Sequence, residues 1–339
     1  MLMDVYQEFP PSYQPVNHDD KEWGPISLRT ALACSRNVPA VSTLQQIGVP
    51  AFLDVASRVG IASYTEQDYG LSMALGAYET TLLELTSAYG VFANEGRRVE
   101  PRVILRIETQ EGDTLLPATD PASDQVVDPR LAYLITDILA DKEERARTFG
   151  WNSNLNLPFP SAAKTGTTNS YRDGWIIGYT PELVAGVWVG NHDGRPMDAL
   201  SGAQGAGSIW RPFMERALAN SAHPTFRQPE GLVSIEVCPV SGMLPAPDCP
   251  TAVRELFLQE NAPQHTCSVH TRRIVCTISG QLAGEHCPAE STEECAYTDL
   301  GPAWDDWLRE QGQEPPSRET CSIHAVSYTH LTLPTKRIV

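Results

Sequence analysis

The stretch Lys164-Thr165-Gly166-Thr167-Thr168 decides the fold, and the rest of the chain is interpreted around it. One lysine, three threonines and one glycine suit a strand that faces an anionic ligand better than a core strand. The lysine supplies positive charge, the hydroxyls donate hydrogen bonds, and the glycine lets a ligand backbone lie close against the strand. Two apolar runs, 175–179 and 183–189, flank a Thr180-Pro181-Glu182 turn and predict a β-hairpin.

Composition excludes several classes of protein. With 339 residues, of which 41% are hydrophobic and 20% charged, the chain is globular and large enough for a full core plus a smaller module. Its formal net charge of -17 argues against nucleic-acid and anionic-lipid partners, because few cations would face the phosphates. The longest apolar run, 183–190, is too short to cross a bilayer, and residues 1–8 lack the features of a signal peptide.

The first 60 residues predict an irregular segment followed by helices. Residues 1–26 show no period and are rich in proline, aspartate and aromatics, which predicts a loop or an extended entry segment. The segment 27–34 predicts a helix capped by its serine. Because Pro39 breaks a helix, the polar triplet Ser35-Arg36-Asn37 is expected between two helices. A further helix is predicted over 50–59.

Capping signals predict more elements of a helical lobe. The spacing in Thr81-Leu82-Leu83-Glu84 is that of a capping box, which predicts a helix that Gly96 ends. Residues 102–108 predict a strand that turns at 111–113. The segment 129–140 predicts an amphipathic helix. Its expected inward residues are Leu131, Leu134, Ile135 and Ile138.

Two later segments are rich in glycine or cysteine. The run 201–207 lacks both the G-x-G-x-x-G order and the Gly-Lys-Ser/Thr ending of phosphate loops. We therefore interpret it as a flexible approach to a helix over 208–219. From Pro224 the composition changes to proline and cysteine, which marks a domain boundary.

The cysteine-rich part contains an internal repeat. In both copies the first two cysteines are 11 residues apart, and a Cys-x-x-His pair closes the copy. The matched residues are Cys238, Cys249, Cys267 and His270 in the first copy and Cys276, Cys287, Cys321 and His324 in the second. The predicted domains are therefore 1–223, 224–272 and 273–325. The segment 326–339 resembles translated vector sequence and is interpreted as a non-native or disordered tail.

Two motifs in combination resemble a known family. Ser35-Arg36-Asn37 and Lys164-Thr165-Gly166-Thr167-Thr168 resemble the second and third signature motifs of penicillin-binding transpeptidases and serine β-lactamases. The segments 173–180 and 187–191 narrow the resemblance to the transpeptidase domain of class A, bifunctional penicillin-binding proteins, with the 1C type as a near relative. The resemblance covers residues 4–325. It implies an α/β fold in which an antiparallel sheet and a helical lobe, N-terminally incomplete, precede two small Cys-rich β modules.

The resemblance implies catalytic roles for three residues. Ser35 would relay a proton towards the leaving amine, Asn37 would hydrogen-bond the amide of the acyl donor, and Lys164 would supply positive potential. Taken alone, the first motif could be a pair of helix caps and the second a surface edge strand. Their joint order favours the functional interpretation. Cys34, beside the motif, is interpreted as a small buried hydrophobe.

The resemblance also implies the substrate-binding residues Thr165, Gly166, Thr167 and Thr168. Thr165 and Thr167 would bind the terminal carboxylate of a D-Ala-D-Ala stem peptide, and the Thr167 backbone N–H would be one oxyanion donor. Gly166 would let the peptide lie antiparallel along the strand. The implied partners are peptidoglycan stem peptides and β-lactams, at the extracytoplasmic face of the cytoplasmic membrane, with no cofactor.

The first motif of the family, S-x-x-K with the nucleophilic serine, is expected before Ser35 and is not found there. Ser161-Ala162-Ala163-Lys164 matches it in letters only, because positions three apart on a strand point to opposite faces. We therefore expect a C-terminal fragment, inactive alone, with a glycosyltransferase domain, membrane anchor and nucleophile before Met1.

The cysteines allow two chemistries. Three cysteines and one histidine in each copy match the ligand count of a zinc site. In a protein that works outside the membrane, disulfides are the simpler interpretation, with Cys238–Cys249 and Cys276–Cys287 as the expected pairs and no metal. Cys267 has no partner within its own copy, which keeps zinc as the alternative.

A second hypothesis comes from another class of protein, a catalytically silent module that holds a peptidoglycan stem peptide or a partner protein. A soluble β-lactamase is disfavoured by the appended repeats and by the segment 187–191. Covalent labelling by a penicillin distinguishes an enzyme from a binding module.

Overall fold

The computed structural model describes residues 1–65, 68–117, 121–168, 171–198 and 200–324. The proposed tail, 326–339, lies outside the described residues. The chain divides into two compact units. The first unit contains residues 1–234 and 256–262, and the second contains 235–255 and the residues from 263 onward.

The described helices and strands follow in chain order. The α-helices are α1 (Leu28–Ala33), α2 (Asn37–Ile47), α3 (Val49–Val59), α4 (Leu82–Ala93), α5 (Pro129–Ala140), α6 (Lys142–Phe149), α7 (Gly205–Ala217) and α8 (Asp305–Glu310). The strands are β1 (Leu2–Asp4), β2 (Gly24–Ile26), β3 (Arg97–Val99), β4 (Ile107–Glu108), β5 (Thr114–Leu116), β6 (Ser123–Gln125), β7 (Ala162–Thr167), β8 (Asp173–Tyr179), β9 (Val184–Gly190), β10 (Leu232–Val237), β11 (Val253–Leu258), β12 (His270–Cys276) and β13 (Thr292–Thr298). No described helix combines the length and the hydrophobicity that a bilayer crossing requires.

The main sheet of the first unit has three antiparallel strands in the order β7-β8-β9. The hairpin predicted from the two apolar runs is therefore confirmed, and the Lys-Thr-Gly stretch forms the outer strand β7. Strand alternation sends Ala163 into the core around Trp210 of α7, while Ala162 joins Tyr179 in the core against α4 and α5. Helices thus cover both faces of the sheet and hold β7 in place.

Capping residues begin the helices where the sequence predicts. The Ser27 side chain accepts a hydrogen bond from the Thr30 N–H at the start of α1, and both bonds of the Thr81 capping box are present at α4. The helix α4 ends with its cap at Asn94, two residues before the predicted Gly96. The helix α7 begins inside the glycine-rich run rather than at Ser208.

Three expectations about local structure are wrong. Residues 1–26 are not merely a loop, since β1 and β2 pair antiparallel and Phe9 is buried. Of the strand predicted over 102–108, only β4 forms. In α5 the exposed Leu131 does not face inward, because the Thr136 hydroxyl lies 2.9 Å from the Tyr179 hydroxyl and sets which side is buried. The buried residues of α5 are Ala132, Thr136, Ile138 and Leu139.

Candidate active site

The two sequence motifs meet at one hydrogen bond. The Lys164 Nζ atom on β7 donates to the Ser35 Oγ atom at 2.6 Å, although the residues are 129 positions apart in the chain. The same ammonium donates to the backbone carbonyl of Thr165 at 2.8 Å. Two of the three proposed catalytic side chains are therefore in direct contact.

Ser35 is held by the way helix α1 ends. The Ser35 N–H donates to the Leu32 carbonyl and the Arg36 N–H to the Ala31 carbonyl, which is the hydrogen-bond pattern of a Schellman motif. The residue at this position has a left-handed backbone, and Ser35 has φ 58° where glycine is usual. The conformation turns the serine hydroxyl out of the helix towards β7.

Arg36, the central residue of the triplet, anchors the motif to the N-terminal segment. Its side chain is 3% exposed and its Nε atom lies 2.7 Å from a carboxylate oxygen of Asp4, which is fully buried. A second bond reaches Asp19 at 2.9 Å, and the guanidinium lies 4.4 Å from the centre of the Trp23 ring. Sequence reasoning missed this buried ion pair. Its only signal was the unexplained acidic and aromatic content of residues 1–26.

Asn37 begins helix α2 and is fixed by the same segment. Its backbone N–H donates to the Asn17 side chain at 2.9 Å, and its own amide donates to the Val16 carbonyl at 2.7 Å. Asn17 in turn donates to Asp4 at 2.7 Å. The side chain of Asn37 is half-buried, and its amide is held by the N-terminal segment.

The proposed substrate-binding residues differ in what they contact. Thr165 and Gly166 are half-buried, and Thr167 is exposed. The Thr167 hydroxyl accepts a hydrogen bond from the Gly202 N–H at 3.0 Å. The Thr168 hydroxyl donates to the Asp173 carboxylate at 2.9 Å and accepts from the Asp173 N–H, so these bonds close the hairpin.

The glycine-rich run is packed against β7 rather than serving as a flexible approach. A Cβ atom on Gly202 would lie 2.3 Å from the Gly166 carbonyl oxygen and 2.6 Å from that of Trp175. Only glycine allows the two backbones to come this close. The expectation of a merely flexible segment is therefore wrong, and the segment supports the end of the strand.

The electrostatics of the site centre on Lys164. Its side chain is half-buried, and desolvation lowers its pKa to about 8. At neutral pH the ammonium is still the prevailing form. It therefore offers a poorly hydrated positive charge beside the Ser35 hydroxyl, which suits a carboxylate ligand.

Two neighbouring residues are excluded as nucleophiles. Ser161, the serine of the S-x-x-K look-alike, is 1% exposed and its Oγ atom has no hydrogen-bond partner among the described residues. Cys34 is buried as predicted; burial raises the pKa of its thiol, and the Sγ atom contacts the Glu144 carbonyl at 3.2 Å.

The cysteines of the repeat do not form the expected disulfides. All eight cysteines, each within the described part of the chain, are free thiols. The pairings Cys238–Cys249 and Cys276–Cys287 are therefore wrong. The reason is geometric, since the third cysteine and the histidine of each copy converge on the first two.

The three-stranded sheet, the helices on both of its faces and the two motifs in contact together form the candidate site. A family model described as the penicillin binding protein transpeptidase domain matches residues 3–215, well over half of the chain. The chain therefore belongs to the penicillin-binding protein transpeptidase family. A second model, the penicillin-binding protein 1A C-terminal domain, matches residues 228–272.

Individual relatives agree with this family. Penicillin-binding protein 1A of Pseudomonas aeruginosa is 30% identical over 301 residues, a match that covers 74% of this chain and 36% of that protein. The chain thus spans about a third of the length of this relative. The crystal structure of penicillin-binding protein 1A from Haemophilus influenzae, 24% identical, superposes with a TM-score of 0.67 over 78% of this chain and 45% of that one, which confirms the α/β transpeptidase fold.

A second solved structure adds a bound ligand. The PonA1 protein from Mycobacterium tuberculosis in complex with penicillin V is 25% identical, with a TM-score of 0.60 over 67% of this chain and 65% of that one.

Proposed function

We propose that this chain forms the substrate-binding and proton-relay part of a D,D-transpeptidase site that cross-links peptidoglycan stem peptides and is acylated by β-lactams. The observation that carries the proposal is the 2.6 Å bond between Lys164 and Ser35, which joins the two motifs into one polar wall. The complex of the similar PonA1 protein with penicillin V supports a β-lactam as ligand of the same fold.

The chemistry assigns each side chain a step in acyl transfer. A serine nucleophile attacks the carbonyl of the penultimate D-alanine, and the developing oxyanion is stabilised by backbone N–H donors that include Thr167. Ser35, polarised by the Lys164 ammonium, relays the proton that the attacking serine releases to the departing D-alanine amine. Thr165 and Thr167 bind the terminal carboxylate, while the Asn37 amide orients the peptide.

The nucleophile is proposed to come from an S-x-x-K segment outside the printed sequence. On this view the chain alone binds but does not acylate. The whole protein would work at the extracytoplasmic face of the cytoplasmic membrane and carry a glycosyltransferase domain. The boundaries 1–223, 224–272 and 273–325 are proposed for its C-terminal half.

Labelling with a fluorescent penicillin tests the proposal. This chain is compared with a longer chain that is extended at its N-terminus to include the next upstream S-x-x-K motif. We expect a covalent adduct only with the longer chain. In that chain Lys164→Ala and Ser35→Ala should slow labelling at least about tenfold, because each removes a group from the proton path. Ser161→Ala, which alters only the look-alike serine, is the matched control and should label normally.

If both chains are folded by circular dichroism and neither labels, the protein is a silent binding module.

A further inference from the structure

The first copy of the cysteine repeat brings four potential ligand atoms together. The side chains of Cys238, Cys249, Cys267 and His270 place their ligand atoms within 4.8 Å of one another. The His270 Nδ1 atom lies 3.4 Å from the Cys238 sulfur and 3.5 Å from the Cys267 sulfur. Both of these thiols are buried, at 0% and 6% exposure.

The second copy repeats the arrangement. Cys276, Cys287, Cys321 and His324 form the second group of ligand atoms within 4.8 Å of one another. The His324 Nδ1 atom lies 3.5 Å from the sulfurs of Cys276 and Cys321. Each group lies wholly within the second unit.

These distances fit a tetrahedral metal ion. Zinc binds cysteine sulfur at about 2.3 Å and histidine nitrogen at about 2.0–2.1 Å, so sulfur and nitrogen ligands at tetrahedral angles lie roughly 3.5 Å apart. The four sulfur–nitrogen distances, 3.4 Å and three of 3.5 Å, agree with this value. A disulfide would need two sulfurs at about 2.05 Å and would leave one thiol of each trio without a partner.

Hydrogen bonds to sulfur recur around both groups. The Ala246 N–H points to the Cys249 sulfur at 3.3 Å, and the Gly284 N–H points to the Cys287 sulfur at the same distance. In each copy the donor precedes the cysteine by three residues. Backbone N–H groups directed at a ligating sulfur stabilise thiolates and orient them towards a metal.

The turns that carry the first cysteines are also duplicated. The Gly242 N–H donates to the Cys238 carbonyl at 2.8 Å, as the Gly280 N–H does to the Cys276 carbonyl. Both glycines have a left-handed backbone, with φ 72° and 70°. Two distant segments of sequence therefore build the same ligand-presenting frame, which favours a shared purpose over chance convergence of thiols.

We propose that each copy of the repeat is a structural zinc site, so that the chain binds two Zn²⁺ ions. Three cysteines and one histidine fill all four tetrahedral positions, and a site with no open position is structural rather than catalytic. Zinc binding would stabilise a part of the chain that needs it, because an isolated two-stranded sheet such as β12-β13 is only marginally stable.

Metal analysis of the complete chain tests the proposal. The chain is reduced, reconstituted with ZnCl₂, freed of excess metal by gel filtration and measured by plasma mass spectrometry. We expect two zinc ions per chain, falling to one in Cys267→Ser and in Cys321→Ser. Cys295 lies in the second copy but belongs to neither ligand group, so Cys295→Ser is the control and should retain two zinc ions.

Cobalt provides a test that needs no variant. Titration of the reduced chain with Co²⁺ should give thiolate charge-transfer and tetrahedral ligand-field absorption that saturates at two equivalents. Fewer than two bound zinc ions after reconstitution, or a cobalt spectrum without thiolate bands, would overturn the proposal. Retention of two zinc ions by Cys267→Ser would equally contradict the assigned ligands.

Discussion

Ser35 occupies a backbone conformation that costs a non-glycine residue about 1 kcal/mol. Glycine would satisfy the Schellman motif at the end of α1 better, yet only a hydroxyl can accept the hydrogen bond from Lys164. Such a conflict between local preference and the residue present is typical of functional sites. Stability and function at this position should therefore respond to mutation in opposite directions.

Two substitutions of Ser35 separate these effects. Ser35→Gly removes the hydroxyl and relieves the backbone, whereas Ser35→Ala removes the hydroxyl and keeps the strain. In urea denaturation we expect the glycine variant to be about 1 kcal/mol more stable than the alanine variant. Both should label with penicillin at least about tenfold more slowly in the longer chain. Equal stabilities would show that the left-handed conformation carries no cost.

Lys164 predicts a pH dependence of stability. Because desolvation lowers its pKa to about 8 from 10.5, the unfolded chain binds more protons than the folded chain between these values. The free energy of unfolding should therefore rise from pH 8 to pH 10, by up to about 2 kcal/mol. Above pH 10 the half-buried Tyr89, whose pKa desolvation raises to about 12, opposes the trend.

Lys164→Met isolates this contribution. Denaturant titrations at several pH values should show the rise for the unaltered chain and not for the variant. A rise of the same size in both chains would assign it to other groups.

At the scale of elements, close backbone contact between the glycine-rich run and β7 determines the shape of the site wall. Gly202→Ala would place a methyl group 2.3 Å from a β7 carbonyl oxygen, and neither backbone can yield cheaply. We expect a loss of about 1–3 kcal/mol in the free energy of unfolding. Gly70→Ala is the control, because its nearest neighbour is the Tyr78 hydroxyl at 3.8 Å, and its effect should stay within about 0.5 kcal/mol. Similar values for both variants would remove the close-contact explanation.

The β1-β2 ribbon depends on the buried pair of Asp4 and Arg36. Asp4→Asn leaves the guanidinium buried beside a neutral amide, and breaking a buried pair in this way costs about 3–5 kcal/mol. Asp54→Asn breaks the exposed pair with Arg58 and should cost less than about 1 kcal/mol. Thermal denaturation of the two variants tests the difference. A mild effect of Asp4→Asn would show that the β1-β2 ribbon does not depend on this ion pair.

Sequence predicted the elements whose cause is local. Helix caps and hydrophobic alternation depend on residues that are close in the sequence. For this reason α1, α4 and the β8-β9 hairpin were predicted. The pairing of β1 with β2 and the contact of Gly202 with β7 depend on residues far apart in the chain. A single sequence carries no periodic signal for a buried ion pair or for the approach of two backbones. Ser35 and Lys164 were named through motif order, while Arg36 was overlooked because a buried arginine has no pattern.

At the scale of the whole molecule, the two units rely on different sources of stability. The first has apolar cores on both faces of its sheet. In the second unit, stability would come from the two proposed zinc sites, each with three cysteines and one histidine.

Metal removal should therefore act on one part of the chain. Hydrogen exchange with and without a strong zinc chelator should show lost protection in β12 and β13, with β8 as the internal reference. Unchanged exchange in β12 and β13 would mean that these strands are stable without an ion.

The two copies of the repeat differ in one respect that bears on their history. The second and third cysteines are 18 positions apart in the first copy (Cys249 and Cys267), where the intervening chain includes β11. They are 34 positions apart in the second copy (Cys287 and Cys321), where it includes β13 and also α8. Doubling the length of a flexible loop costs only about 0.6 kcal/mol of closure entropy. After a duplication, one copy could therefore acquire additional chain between its second and third cysteines at a small cost in closure entropy. The part of this segment that follows β13 is therefore the place to graft a foreign peptide for display.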